Sequence, residues 1–142
     1  MTNTTLILAD ARPLLTLAIA GSLDALLLPG TRVIIPDMVM YVATDKPGSG
    51  EILDWLSMQQ DSVCVAKIET YYEFEIIRRF KPGAKIGIRE ESATGEVAFE
   101  ELEKGIDEII LLFDESYFEK LPNYLRPLPK NVRCMSVSML TN

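Results

Sequence analysis

The chain has 142 residues, enough for one domain with a sizeable core, and 48% of them are hydrophobic, which marks a packed globular protein and not a disordered one. It contains no histidine and only two cysteines, Cys64 and Cys134, neither in a CxxC pair, so a zinc site and a Cys–His nucleophile are excluded. The net charge of -7 argues against broad nucleic-acid binding, which needs Lys and Arg for phosphates. The apolar stretch Leu14 to Leu28 is interrupted by Gly21, Ser22 and Asp24. No membrane span or signal peptide is read, and the expected location is a reducing cytoplasm.

The charge is unevenly placed. Residues 67–89 hold Lys67, Arg78, Arg79, Lys81, Lys85 and Arg89 against Glu69, Glu73 and Glu75, a local balance of +3. Residues 90–119 carry eleven carboxylates against Lys104 alone, a balance of -10. Solvated helix faces are the ordinary explanation of both runs.

Thr5 to Ala9 reads as a buried strand that ends in Asp10. Arg12-Pro13 then opens a helix, with proline tolerated in its first turn, and Gly21 ends it. Leu23 to Leu28 is a second short helix or turn. Arg32 to Ile35 is the second strand, stopped by Pro36, and a helix runs from Asp37 to about Thr44. Asp45 to Gly50 is a loop by composition. Ser49 is placed to cap a helix over Glu51 to Gln60. Ser62 to Ala66 is the third strand. Glu69 to Phe80 is a helix whose apolar residues go most of the way round, so it buries more than one face, part of it against a partner subunit. Lys85 to Arg89 is ambiguous. Ser92-Ala-Thr-Gly95 reads as a turn, with Thr94 capping a helix from Gly95 to Lys104. Glu108 to Phe113 is the fourth strand, ending in Asp114, and a short helix follows from Glu115 to Leu121. Pro122, Pro127 and Pro129 mark a loop. Asn131 to Leu140 alternates as a fifth, edge strand. Strands alternating with helices imply one α/β domain over residues 1–142. Its central sheet is mainly parallel, with about five strands and helices on both faces.

Asp10, Glu96 and Asp114 share one kind of position, at the end of a strand or the start of a helix. In an open α/β sheet such positions face one crevice. Each acid has an ordinary role there, as a helix cap or a first-turn charge. Three together would repel unless a cation lay between them, and oxygen-only ligands suit Mg²⁺ or Mn²⁺. Metal-assisted phosphodiester hydrolysis is the chemistry that such a set would serve.

The opening Leu8-Ala-Asp10-Ala-Arg-Pro13 with Gly21, Leu23 and Leu26-Leu27 resembles the start of PIN-domain proteins, nearest to the branch related to VapC-type toxins. Val33-Ile-Ile-Pro36 with Val39, Thr94-Gly-Glu96-Val-Ala98, Leu111-Leu-Phe-Asp114-Glu-Ser116 and Val132 to Leu140 resemble later motifs of that family in the same order. The resemblance covers nearly the whole chain. It implies a PIN-like three-layer α/β/α fold and a Mg²⁺- or Mn²⁺-dependent endoribonuclease. Asp10, Glu96 and Asp114 would be its catalytic and metal-binding acids, with Ser116 assisting. It also implies a homodimer and neutralisation by an antitoxin protein. The chain departs from the family at two places. Val42 stands where a Glu is usual, leaving Asp45, three residues on, as the candidate fourth ligand. Arg12 stands where a small hydroxyl residue is usual, and its guanidinium can pair with Asp10 or clamp a phosphate. Two functions stay open: an active ribonuclease, or a catalytically silent PIN-like domain that binds or assembles other proteins. A receiver-like domain ranks below both, because it needs paired acids after the first strand.

Overall fold

A computed structural model describes residues 3–114 and 129–141. Five strands form one parallel sheet: β1 (Thr4–Leu8), β2 (Thr31–Pro36), β3 (Val63–Ala66), β4 (Glu108–Leu112) and β5 (Val132–Met135), in the order β3-β2-β1-β4-β5. Around it lie α1 (Ala11–Ile19), a short 3-10 helix at Leu23–Leu26, α2 (Asp37–Ala43), α3 (Ser49–Met58), α4 (Glu69–Phe80), α5 (Arg89–Glu103) and α6 (Val137–Thr141). The expected α/β class and the five-stranded parallel sheet are found, and the fold is consistent with three layers. The expected helix over Glu115 to Leu121 lies outside the described residues, as does Ser116.

The strands are apolar on both sides because both sides are covered. Leu6, Leu8, Val33, Ile35, Ile110 and Leu112 point to one core with residues of α1, α3 and the 3-10 helix. Ile7, Ala9, Ile34, Ile109 and Leu111 point to the other, with Phe74 of α4 and Ala93 and Val97 of α5. Helix α2 straddles the sheet edge and gives Met38 to one core and Val39 to the other. The chain steps from β1 out through β2 to β3, then returns to the far side of β1 with β4. That reversal between β1 and β4 is where an open sheet leaves a crevice beyond its C-terminal strand ends.

Three boundaries differ from the sequence reading. Helix α5 begins at Arg89, so Ser92 to Gly95 is helix and not a turn. Thr94 does not cap; its hydroxyl donates to the Glu90 carbonyl one turn back at 2.9 Å. Burial of Ala93, Thr94 and Val97 against the sheet outweighs the weak helix propensity of Ser, Thr and Gly. Strand β5 stops at Met135, opposite Leu112 where β4 itself stops, and the following residues turn into α6. Ser49 is the first residue of α3 and makes no capping bond; Gly48 precedes it with φ of +99°. A side chain at Gly48 would meet the Ala18 Cβ and the Leu15 carbonyl of α1, each at 3.2 Å. Gly48 is thus required by backbone conformation and by close approach together.

Candidate active site

The last β1–β4 pair is Leu8 with Leu112, and two residues beyond each partner stands an aspartate, Asp10 and Asp114. Parallel register therefore sets both carboxylates side by side at the reversal point of the sheet. Asp10 is extended (φ -150°, ψ 146°) and caps α1: its Oδ1 accepts the Arg12 amide at 3.2 Å. The residue is 93% buried, being 7% exposed, and its Oδ2 is buried with no hydrogen-bond partner among the described residues. Burial pushes its carboxyl up from the ordinary aspartate value, and the nearby charges of Asp114 and Glu91 add to that, against the Arg12 amide and guanidinium. The Arg12 side chain reaches Asp114, not Asp10, donating to its Oδ2 at 3.5 Å. That guanidinium is 72% exposed, so the pair is weakly held and the arginine can turn elsewhere.

The early start of α5 brings two acids to this edge that the sequence reading passed over. Glu90 and Glu91 sit in its first turn, where negative charge suits the helix dipole. Glu90 Oε2 accepts the Ala11 amide at 3.0 Å, tying the start of α5 to the start of α1. Burial and the charge of Asp10 push the Glu90 carboxyl up to about 7, with Glu91 adding to the rise and the Ala11 amide and Lys46 opposing it. The signal in the sequence is Arg89-Glu-Glu91, a cation followed by two acids where the basic run meets the acidic one.

Glu96 lies elsewhere on α5 and has a different occupation. Its two carboxylate oxygens accept the Glu69 amide at 3.0 Å and the Thr70 amide at 2.9 Å, and one also accepts the Thr70 hydroxyl. It caps α4, whose preceding residue, Ile68, has no side-chain oxygen to do so. Asp37 stands near it, at the end of β2. Its Oδ2 accepts the Ile68 amide at 3.3 Å, and its carboxyl is raised by burial, with Glu96 as a minor contributor. Asp45 is an exposed turn residue with φ of +64°, a conformation that Asp tolerates better than most. It borders a cleft of about 130 Å³ between α2 and α3. Val42 is half-buried and packs against both cores.

The edge thus holds two groups of acids. Asp10, Asp114, Glu90 and Glu91 gather at the β1–β4 reversal point, and Asp37 and Glu96 cap the start of α4. Among the described residues no three acids stand close enough together to hold a metal ion by themselves. Helix α4 exposes Tyr72, Ile77 and Phe80 and buries Phe74. No helix among the described residues is long and apolar enough to cross a membrane. Compared with protein-family models, with curated proteins and with solved structures, the chain matches none.

Proposed function

We propose that this protein is a divalent-cation-dependent phosphodiesterase of PIN type that cleaves RNA, with Asp10 and Asp114 as the primary metal-binding acids. One observation carries the reading: a buried, partnerless Asp10 oxygen sits beside Asp114 and Glu90 at the reversal point of a parallel sheet. A cation there would relieve the repulsion that raises both Asp10 and Glu90. Mg²⁺ usually takes one or two carboxylates and completes its shell with waters and substrate phosphate. Two adjacent strand-end aspartates fit that habit, whereas an all-protein cage would need three or more converging acids. When bound, the ion supplies an acidified water and charge stabilisation at the phosphate. The chain's own residues do the rest. Asp10 and Asp114 would hold the ion and so fix where a phosphate can sit. Arg12, loosely paired with Asp114, is free to swing to a phosphate oxygen. Glu90 can hold a proton for the leaving oxygen, because burial, the larger cause of its raised carboxyl, remains when an ion offsets the charge of Asp10.

The second reading, a silent binding module, draws on Glu96 and Val42. The first is committed to capping α4 and the second cannot ligate. In that reading, and for the homodimer or antitoxin partner of the first, the exposed Tyr72, Ile77 and Phe80 of α4 are the surface to test. The deciding experiment is calorimetric titration of Mn²⁺, alone and with an uncleavable oligonucleotide, into the protein and Asp10→Asn. Binding that strengthens with the oligonucleotide and is lost in the variant supports the nuclease. Absence of binding at millimolar Mn²⁺ in both conditions favours the module. Ribonuclease activity that survives Asp10→Asn would refute the assignment.

A further inference from the structure

Two arginines beside the acid edge share one aromatic cluster. Phe74 is buried in the second core, with the Tyr41 ring edge-on at 5.5 Å. The Arg78 guanidinium carbon lies 4.4 Å from the Tyr41 ring centre and 5.3 Å from that of Phe74. The Arg89 guanidinium carbon lies 4.7 Å from the same Phe74 ring. The two cations are therefore at most about 10 Å apart. Arg78 donates to the Tyr41 hydroxyl at 3.1 Å, and Arg89 to the carbonyls of Lys85 at 2.6 Å and Ile86 at 3.3 Å. None of these partners is charged. Neither arginine lies within 4.0 Å of a carboxylate among the described residues. The Arg78 Nε is buried and has no acceptor. Two neighbouring guanidinium groups with no carboxylate within 4.0 Å among the described residues suit an external anion.

Their placement says which anion. Arg89 immediately precedes Glu90, whose carboxyl is bonded to the amide after Asp10. Arg89 thus opens the helix whose next residue bonds to the chain beside Asp10, and Arg78 shares its Phe74 ring. The aromatic contacts and the bonds to the Tyr41 hydroxyl and the Lys85 and Ile86 carbonyls hold both guanidinium groups in place, so ordering them on a ligand costs less entropy. A fixed guanidinium fork matches phosphate oxygens in a bidentate manner. We propose that Arg78 and Arg89 form a clamp for backbone phosphates of a single RNA strand. The proposal rests on the nuclease reading for its substrate class. It also answers the objection from the -7 net charge, since the phosphate contacts are local and preorganised.

The test is fluorescence anisotropy with a labelled 2′-O-methyl oligoribonucleotide in EDTA over a range of salt, which reads binding without cleavage. Arg78→Gln and Arg89→Gln should each weaken binding about tenfold and reduce the slope of log Kd against log salt by about one. Arg89→Lys should restore the slope but not the full affinity, because the ammonium neither stacks nor forks. Arg89 touches only turn carbonyls and one ring, so its variants stay readable even if Arg78→Gln fails to fold. Unchanged affinity and slope in Arg89→Gln, or no binding by the wild type, overturns the clamp. Arginine-dependent binding by a wild type that cleaves no RNA with Mn²⁺ keeps the clamp and discards the nuclease.

Discussion

Glu90 is the residue whose removal should strengthen the fold, and by an amount that depends on pH. Its carboxyl is pushed from the ordinary 4.5 up to about 7, chiefly by burial and by the charge of Asp10. A group raised in the fold contributes its full stability below pH 4.5 and loses it as pH rises through 7, because the unfolded chain gives up its proton over that range while the buried native carboxyl holds it. Each tenfold change in proton affinity is worth about 1.4 kcal/mol. The raised Glu90 carboxyl therefore takes about 3 kcal/mol at most from the fold by pH 8, and roughly 1 kcal/mol of that is already lost at pH 5. Glu90→Gln keeps an oxygen to accept the Ala11 amide and carries no charge. The variant should gain about 2 kcal/mol on the wild type between pH 5 and pH 8. Urea denaturation of both proteins at the two pH values, in EDTA, measures this. The shift in Asp37 is common to both chains and cancels to first order, while Asp10 is coupled to Glu90 and is part of the measured effect. A stability difference that is the same at both pH values would refute the claim that Glu90 is a buried acid beside Asp10.

Four further outcomes follow from particular contacts. Asp114→Asn should abolish Mn²⁺-dependent RNA cleavage while its circular dichroism spectrum stays native; equal cleavage by variant and wild type removes Asp114 from the site. Saturating Mn²⁺ with the uncleavable oligonucleotide should raise Tm, since both bind only the native state, and Asp10→Asn should cancel the rise. Glu96→Ala should cost about 1–2 kcal/mol by uncapping α4 and leave Mn²⁺ affinity unchanged; lost Mn²⁺ binding with full stability would return Glu96 to the metal. Gly48→Ala should cost about 1–2 kcal/mol for the left-handed backbone, and somewhat more for crowding against α1, in urea melts. An unchanged midpoint would mean that α1 and α3 yield at no cost.

The sheet was legible because its signal is local. Leu6 to Leu8 and Ile109 to Leu112 are unbroken apolar runs, and only a strand covered on both faces requires them. Asp10 and Asp114 were legible for the same reason, since each is the first acid after such a run. The α5 acids were not. Ser92, Thr94 and Gly95 are turn formers by composition, and what makes them helical is contact between Ala93, Val97 and strands β1, β2 and β4, far away in sequence. Moving the helix start from Gly95 to Arg89 changes which acid reaches the crevice, because Glu90 now faces the start of α1.

Glu96 shows the same limit from the other side. Its place after Thr94-Gly95 marked it as a first-turn acid, a position that a family motif and a simple cap share. Nothing local in the sequence tells that the start of α4, 26 residues earlier, lacks a cap of its own. Ile68 cannot bond the free amides of Glu69 and Thr70, and an uncapped helix start left in a partly buried position is costly. Glu96 fills that need with both oxygens, so it could join a metal only by uncapping α4. Glu90 is the α5 carboxylate that stands beside Asp10, near enough to feel its charge and bonded to the Ala11 amide, whereas Glu96 is spent on the start of α4.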